Sequence, residues 1–279
     1  MSNVATIDFH VTSECSQACP YCWGPQGIVE VDTDTALAIV AKIAGSGARR
    51  IVFTGGDPMQ RGDIGTLIHA AKQAGLEVAL STTGDELSAG FLDRYGADID
   101  LVSLPLDGST EEVSSRTKNP GHFGAVIEAL GLLARHPAID VKVATPVTRS
   151  NIDDVPNVVA LLERYAAKAP NRVFYNVFQA FPRSMDADVP WEEFIVTGDE
   201  FAALRERVMV TGVKINWLDH DTLDRLYVMV FPDGSLTIPA GSRFAFYGDF
   251  LAIDDLDEVL ERAEFDIEKH RHHAEGWGK

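Results

Sequence analysis

Short apolar runs alternate with amphipathic segments over the first two thirds of the chain. Runs of strand length predict six β-strands, and apolar positions at helical spacing, several opened by Asp or Thr and closed by Gly, predict five helices between them. The predicted strands are Thr6–Thr12, Arg50–Thr54, Glu77–Thr83, Asp100–Leu106, Asp140–Val147 and Arg172–Phe181. The predicted helices are Thr33–Gly45, Asp63–Ala74, Asp85–Tyr95, Phe123–Arg135 and Asp153–Ala167.

Strand-then-helix units joined by short connections predict an α/β fold with a parallel sheet, either an open sheet or a curved partial barrel. The rhythm changes after Pro182, where we predict a helix near Asp199–Thr211, a hairpin at Tyr227–Ile238 and an acidic helix from Asp254. We therefore expect a core over residues 1–182 and a C-terminal α+β extension over residues 183–279 that packs on it.

Two predicted strands carry polar residues on one face and apolar residues on the other. The polar positions are Asp8, His10 and Thr12 in the first strand, and Ser81 and Thr83 in the third. We expect the apolar faces to pack on the helices and the polar faces to line a ligand cavity. The alternative is that these side chains only satisfy hydrogen bonds at strand ends. Lys142 either points into the same cavity, where it would meet an anionic substrate, or is solvated at the start of its strand.

The charge of the chain narrows the choice of partners. The 279 residues carry a formal net charge of −18, which repels phosphate backbones and makes nucleic acid an unfavoured partner. The chain does not begin with a basic segment followed by an apolar stretch, and no apolar run reaches about 18 residues. We expect no membrane insertion and a cytoplasmic location.

Cys15, Cys19 and Cys22 are the three cysteines of the chain. An odd number so close together is a poor disulfide framework, and in a reducing compartment such thiols serve as ligands or catalysts. A closed zinc site needs four protein ligands, usually from two separated pairs. Three thiolates also suit an iron–sulfur cluster with one iron left open. The residues alone leave both metal sites open.

The cysteines have C-x3-C-x2-C spacing, with an aromatic residue before the last one, and they directly follow the first predicted strand. After the second strand, Thr54-Gly55-Gly56-Asp57-Pro58 is similar to a Gly-Gly-Glu-Pro motif with Asp in place of Glu. In this order and context the two motifs resemble those of radical S-adenosylmethionine (radical SAM) enzymes. The resemblance covers roughly residues 5–182. It implies a partial (β/α)6 barrel.

The resemblance also implies the cofactors. In this family three thiolates hold three irons of a [4Fe–4S] cluster, and the amino and carboxylate groups of S-adenosylmethionine (SAM) bind the fourth. One electron from the cluster cleaves SAM to methionine and a 5′-deoxyadenosyl radical, which abstracts a hydrogen atom from the substrate, while the protein positions the cofactor and excludes competing reactions. An electron donor of the flavodoxin or ferredoxin type is therefore implied.

Site residues follow from the resemblance, grouped here by the part of the cofactor that each would contact. Cys15, Cys19 and Cys22 bind the cluster; Tyr21 and Phe181 border the adenine; Gly55, Gly56 and Asp57 hold the methionyl ammonium; Ser81 and Thr83 contact the ribose or the substrate; Ser103 and Arg116 lie near the carboxylate. Arg116 is explained equally well as an exposed helix residue. The candidate substrate contacts are Asp8, His10 and Lys142.

Absent features restrict the reaction. Because no cysteine follows Cys22, auxiliary clusters cannot be ligated in their usual way, and the early first strand predicts neither a leader-recognition domain nor a cobalamin domain. We predict a single-cluster enzyme that abstracts a hydrogen atom from a small polar metabolite such as a nucleotide, sugar or amino-acid derivative. The cysteine loop lacks the particular sequence of the antiviral nucleotide dehydratases of this superfamily. The alternatives are modification of a ribosomal peptide presented by a separate recognition protein and a non-enzymatic iron–sulfur redox sensor.

Three histidines lie near the end of the sequence: His270, His272 and His273. They could form a metal site, but a short terminal tail favours a solvated charged segment. Trp277 is expected to pack nearby or to be disordered.

Overall fold

A computed structural model describes residues 4–183, 190–208 and 212–275, and its strands form one ten-stranded sheet. The strands are β1 (Thr6–His10), β2 (Arg50–Thr54), β3 (Glu77–Ser81), β4 (Leu101–Pro105), β5 (Asp140–Val147), β6 (Val173–Gln179), β7 (Lys214–Leu218), β8 (Met229–Val230), β9 (Ser235–Ala240) and β10 (Arg243–Asp249). All six strands predicted before Pro182 are present, with ends that differ by at most two residues.

The helices lie between successive parallel strands or follow the sheet. They are α1 (Thr33–Gly45), α2 (Ile64–Gln73), α3 (Ala89–Tyr95), α4 (Glu111–Ser114), α5 (His122–Leu133), α6 (Val155–Ala166), α7 (Trp191–Phe194), α8 (Gly198–Arg207), α9 (His220–Leu223), α10 (Leu256–Arg262) and α11 (Ile267–Glu275). The start of α1 shows why the predicted boundary is correct: the Asp32 side chain accepts a hydrogen bond from the Thr35 backbone N–H, which satisfies one of the unpaired donors of the first turn.

The order of the strands is β10-β9-β8-β1-β2-β3-β4-β5-β6-β7. Each neighbouring pair from β1 to β7 is parallel, which confirms the predicted α/β fold with a partial barrel of parallel strands. The sequence analysis missed β7 and β10. Because β7 joins β6 and β8 joins β1, the C-terminal part extends the sheet at both ends. The boundary at residue 182 stays a prediction.

The two faces of β1 differ as predicted. Ile7 and Phe9 are fully buried in the main core, which also contains Ile39 and Ile43 of α1, while Asp8 and neighbouring polar side chains face the interior of the curved sheet, here called the lumen. Apolar side chains also lie on this inner face, where a separate small cluster joins Val52, Ala79, Leu101 and Phe174. The lumen is therefore lined by both polar and apolar residues.

Among the described residues, no helix is both long enough and apolar enough to cross a membrane.

Candidate functional site

A cavity of about 360 Å³ occupies the lumen. It reaches from the cysteine loop, which follows β1, to α11 at the opposite end of the same strand, where the His270 side chain accepts hydrogen bonds from the Ala5 and Thr6 backbone N–H groups. We call these the cofactor end and the floor of the lumen. Predicted site residues that line the cavity are Asp8, His10, Cys15, Cys19, Tyr21, Cys22, Gly56, Ser81, Thr83, Ser103 and Lys142.

Each of the three thiols at the cofactor end faces an N–H donor. Gln17 N lies 3.4 Å from Cys15 Sγ, Gly24 N lies 3.3 Å from Cys22 Sγ, and Lys118 Nζ lies 3.0 Å from Cys19 Sγ. Burial raises the pKa of Cys22. Donors aimed at sulfur stabilise thiolates, the form in which cysteine binds metals.

The donor set fits a four-iron cluster. No three His, Cys, Asp or Glu side chains of the described ranges lie close enough together to bind one metal ion. A [4Fe–4S] cluster distributes its thiolates over different irons, and their sulfurs need not converge on one point. The cavity beside the cysteines carries hydroxyl groups and a cation suited to a polar cofactor such as SAM.

The glycine pair after β2 packs against the backbone that leads into the cysteine loop. Gly55 has a φ of +144°, and a Cβ there would lie 2.3 Å from Thr12 O. A Cβ on Gly56 would lie 2.2 Å from Glu14 O, and Gly56 N donates to Thr12 O at 2.8 Å. Only glycine permits this approach. The pair therefore allows close backbone packing that holds the start of the cysteine loop in place. Gly56 also lines the cavity.

Asp57 has a different position from the one expected. Its side chain is fully buried and does not line the cavity; its carboxylate accepts hydrogen bonds from Met59 N, Thr82 Oγ1 and Thr83 Oγ1. These bonds cap the turn after β2 and tie it to the end of β3. The structure thus assigns the Asp57 carboxylate to support of the turn rather than to the cavity, where a contact with the methionyl ammonium was predicted.

Hydroxyl groups line the wall formed by β3 and β4. Ser81 pairs in register with Ser103, which pairs with Lys142 on β5, so the three side chains lie at one level of the lumen. Thr83 lies beyond the end of β3 and reaches the cavity while its hydroxyl donates to Asp57 at 2.6 Å. Sequence alternation correctly places these residues on the inner face.

Tyr21 belongs to a buried polar network at the cofactor end. Its hydroxyl donates to the carboxylate of Asp107, which also accepts from Thr117 Oγ1 at 2.6 Å. Lys118 Nζ lies 5.7 Å from the centroid of the Tyr21 ring. Burial alone would lower the pKa of Lys118, but the negative charges of Asp107 and Cys19 outweigh it and raise that pKa. Lys118 is therefore charged at neutral pH.

The structure does not bring Arg116 to the cavity. Its guanidinium donates to Ser150 O and Glu112, and the side chain is 48% exposed. Lys118, two residues later, is 9% exposed and lines the cavity. Sequence reasoning missed Lys118 because it lies in the irregular segment between α4 and α5, where no periodicity reveals which side chain points inward. The cation predicted at Arg116 is thus present in the cavity as Lys118.

Phe181 is also displaced from its predicted position. It is buried, but Ala180 rather than Phe181 lines the cavity. The Phe181 ring packs against Trp23 at 5.1 Å between centroids and lies under the guanidinium of Arg183, 4.6 Å away. Trp23 does line the cavity. An aromatic side chain thus lines the cavity beside Phe181, but it is that of Trp23, which directly follows Cys22.

The middle of the lumen holds buried ionisable groups. Burial raises the pKa of Asp8 to about 7 and lowers that of Lys142 to about 8, and each of the two charges opposes the shift of the other. Arg50 adds a third charge to their surroundings. Burial also lowers the pKa of His10 to about 3, which keeps its ring neutral at pH 7.

His10 is the exceptional residue of this group. It is 8% exposed, and neither of its ring nitrogens has a hydrogen-bond partner among the described residues. Its ring packs at 5.2 Å from that of Phe231 and borders the cavity. An unmet buried hydrogen-bonding group costs about 1–3 kcal/mol, so this imidazole is poised for a ligand that both donates and accepts.

The predicted solvated histidine tail is wrong. These residues form α11, and His270 is 4% exposed, with one nitrogen bound to Ala5 N and Thr6 N and the other donating to Leu226 O at 2.8 Å. His273 borders the cavity and His272 is exposed. The local sequence could not show this burial, because the residues that contact His270 (Ala5, Thr6 and Leu226) are distant from it in the chain. Trp277 lies outside the described residues.

Known proteins are similar in sequence to most of this chain. The profile of the Radical SAM superfamily matches residues 9–162. Two S-adenosylmethionine-dependent nucleotide dehydratases are similar along nearly the whole chain. The protein from Lacinutrix mariniflava is 25% identical over 96% of this chain and 57% of its own length. The protein from Flammeovirga pacifica is 24% identical over 95% and 93%.

Other relatives match less of the chain. The mycofactocin maturase MftC of Mycobacterium ulcerans is 27% identical over 75% of this chain and 56% of its own length, so the chain spans only about half the length of several curated relatives. Streptococcus suis SuiB bound to S-adenosylmethionine shares the fold, with a TM-score of 0.71 at 11% identity over 97% of this chain and 68% of that one. The chain belongs to the radical SAM superfamily, whose enzymes use a [4Fe–4S] cluster and S-adenosylmethionine.

Proposed function

We propose that this radical SAM enzyme abstracts a hydrogen atom from a small polar metabolite held in the lumen, and that the metabolite is a nucleotide. The observation that carries the proposal is His10, which is buried without a hydrogen-bond partner among the described residues and borders the cavity together with Asp8 and Lys142. A cavity that combines apolar walls with a few buried polar groups suits a small ligand with several hydrogen-bonding groups.

At the cofactor end, Cys15, Cys19 and Cys22 would hold the cluster, which supplies the electron that cleaves SAM to give a hydrogen-abstracting radical. The Ser81, Thr83 and Ser103 hydroxyl groups would orient SAM, with Tyr21 and Gly56 beside it. Lys118 would pair with the SAM carboxylate in place of Arg116. Cys15 is exposed, which favours electron delivery from outside by a flavodoxin or ferredoxin in the cytoplasm.

In the middle of the lumen, three residues would bind the substrate. Lys142 would pair with an anionic group, neutral His10 would exchange hydrogen bonds with a hydroxyl or base edge, and Asp8 would accept from a donor. Their burial strengthens these contacts, because charges and dipoles interact more strongly away from water. The same burial excludes solvent from a reactive radical.

Two observations favour a nucleotide. The nucleotide dehydratases align along 96% and 95% of the chain, whereas the mycofactocin maturase aligns along 75%. The cation that faces the cavity beside Asp8, Lys142, suits a phosphate-bearing ligand. The cysteine loop lacks the sequence typical of the dehydratases, so the support for a nucleotide comes from the extent of the alignment and from Lys142.

The test uses protein reconstituted without oxygen and reduced with dithionite. Iron and sulfide are counted, and 5′-deoxyadenosine is measured with SAM alone and with SAM plus each of the common nucleoside triphosphates, using sugar phosphates for comparison. We expect about four irons per chain and stimulation by at least one nucleotide, with deuterium transfer from the labelled nucleotide into 5′-deoxyadenosine. Stimulation by sugar phosphates alone would overturn the nucleotide assignment, and a cluster that never cleaves SAM would overturn the function.

A peptide presented by a separate recognition protein is the second candidate. The similarity to a mycofactocin maturase, which covers 75% of this chain, supports it. No nucleotide effect, combined with 5′-deoxyadenosine formation that depends on a peptide and its recognition protein, would favour this candidate. The redox-sensor alternative is set aside, because the named relatives are enzymes.

A further inference from the structure

Lys118 contacts a predicted cluster ligand directly. Its Nζ lies 3.0 Å from Cys19 Sγ, and the side chain is 9% exposed. The other two thiols receive backbone N–H groups, from Gln17 and Gly24. The three cysteines therefore differ in their surroundings: among the described residues, a full positive charge lies within hydrogen-bond distance of sulfur at Cys19 alone.

A buried carboxylate supplies a negative charge in the surroundings of this ammonium. The Asp107 carboxylate, which interacts electrostatically with Lys118, is fully buried and accepts hydrogen bonds from the Tyr21 and Thr117 hydroxyls. The backbone carbonyl of Asp107 accepts from Asn151 Nδ2 at 2.9 Å. The negative charge of Asp107 favours the charged form of Lys118, whose ammonium donates its only hydrogen bond among the described residues to Cys19 Sγ.

A cation beside a ligand sulfur affects the redox properties of a cluster. One-electron reduction adds a negative charge to the cluster, and a nearby positive charge or N–H donor stabilises the reduced form more than the oxidised form. The effect is larger in a buried site than at a surface because solvent screens it less. Hydrogen bonds to the sulfurs are among the known determinants of cluster potential.

We propose that Lys118 is a positioning residue that raises the reduction potential of the cluster through its hydrogen bond to Cys19. This inference rests on the proposed assignment of Cys19 as a cluster ligand. It is separate from the proposed pairing of Lys118 with the SAM carboxylate, since it predicts an effect in the absence of SAM. The chemical change involved is the transfer of one electron from dithionite to the oxidised cluster, with no bond made or broken.

The test is a potentiometric titration of the reconstituted protein without SAM, followed by the electron paramagnetic resonance signal of the reduced cluster. We expect K118M to decrease the ratio of reduced to oxidised cluster at a fixed potential by tenfold or more, which is a midpoint shift of about 59 mV for one electron. K118R keeps the charge and should keep the wild-type midpoint. R116M removes an equal charge from an exposed position two residues away and should also leave the midpoint unchanged.

The outcomes separate the inference from the proposed function. A K118M variant with a full cluster and the wild-type midpoint would overturn the inference and leave the function intact. If K118M does not retain four irons, K118Q, which keeps an N–H donor without the charge, decides by the same criterion. A wild-type protein that binds no cluster would instead overturn the assignment of the cysteines.

Discussion

The cofactor end and the middle of the lumen are shaped by different kinds of contact. At the cofactor end, backbone atoms set the fit: a Cβ on Gly55 or Gly56 would come within 2.3 or 2.2 Å of carbonyl oxygens just before the cysteines. In the middle of the lumen, side chains determine the fit: Asp8 from β1 and Lys142 from β5 shift each other's pKa. A close backbone contact leaves no room for an added side-chain atom, whereas a substitution at a side-chain contact can weaken that contact only in part.

This difference explains how the two regions tolerate change. The cofactor end has one arrangement that admits both the cysteine loop and the turn after β2, so substitutions there should eliminate activity. The polar lumen can exchange one hydrogen-bonding group for another at a graded cost, which allows related enzymes to accept different substrates on one scaffold. The following predictions test that contrast, beginning with the largest effect.

Gly56→Val should abolish SAM cleavage and also reduce cluster incorporation. The added side chain would displace Glu14 O and Ser13 O, which lie 2.2 and 2.5 Å from a Cβ at this position, and Cys15 follows immediately. If Gly56 only contacted a ligand, the variant would keep an intact cluster. Because Gly56 also packs against the backbone before Cys15, we expect the variant to lose part of its cluster. Iron content and 5′-deoxyadenosine formation measure the two effects.

Gly62→Val is the matched control, because Gly62 has no atom within 4 Å of a Cβ. It should keep four irons and wild-type SAM cleavage. Full cluster occupancy in Gly56→Val would show that the cysteine loop does not depend on this contact, and the contrast between the two regions would fail.

The sequence predicted features that depend on local pattern better than features that depend on tertiary packing, and the reason is physical. Cysteine spacing and the Gly-Gly-Asp-Pro turn are local patterns, and the six parallel strands follow from periodicity. Lys118 and α11 depend on tertiary packing: Lys118 lies in an irregular segment, and His270 is buried only because α11 meets the start of β1. Asp8 and His10 were placed correctly because strand alternation is strict.

Lys142→Met should raise the KM for the substrate nucleotide by roughly 30-fold or more while leaving SAM cleavage without substrate near the wild-type rate. Loss of one member of a buried charged interaction costs about 2–5 kcal/mol, and about 1.4 kcal/mol corresponds to tenfold. The measurements are steady-state 5′-deoxyadenosine formation against nucleotide concentration and the substrate-free rate.

Lys72→Met provides the control for removal of a lysine. Lys72 pairs with Asp100 at 2.7 Å, is 32% exposed, and does not line the cavity. Its KM should match the wild type. An equal rise in KM in both variants would mean that general destabilisation, rather than substrate binding, explains the result.

The KM for an anionic substrate should rise about tenfold between pH 7 and pH 9. Burial lowers the pKa of Lys142 to about 8, so its positive charge is lost as the pH passes that value, and a tenfold smaller fraction remains charged one unit higher. Burial raises the pKa of Asp8 to about 7, and its ionisation over the same interval acts in the same direction. Arg50, Tyr227 and His273 share this environment.

Lys142→Gln separates the lysine from these neighbours. It should remove the change that belongs to Lys142 and leave only that of Asp8, moved to a higher pH than in the wild type, because the Lys142 charge lowers the pKa of Asp8. A KM profile in Lys142→Gln with the wild-type midpoint and amplitude would assign the titration to another group.

Arg116→Ala should have the smallest effect, because it tests a residue that the motif resemblance assigned to the cofactor and the structure places outside the cavity. Its exposed i,i+4 pair with Glu112 is worth about 0.3–0.5 kcal/mol at most, so the melting temperature should barely change. SAM affinity, measured by calorimetry on the reconstituted protein, should stay at the wild-type value, whereas Lys118→Ala should weaken it. A loss of SAM affinity in Arg116→Ala comparable to that in Lys118→Ala would mean that the segment between α4 and α5 rearranges when the cofactors bind, and that the cofactor end is not fixed by the backbone alone.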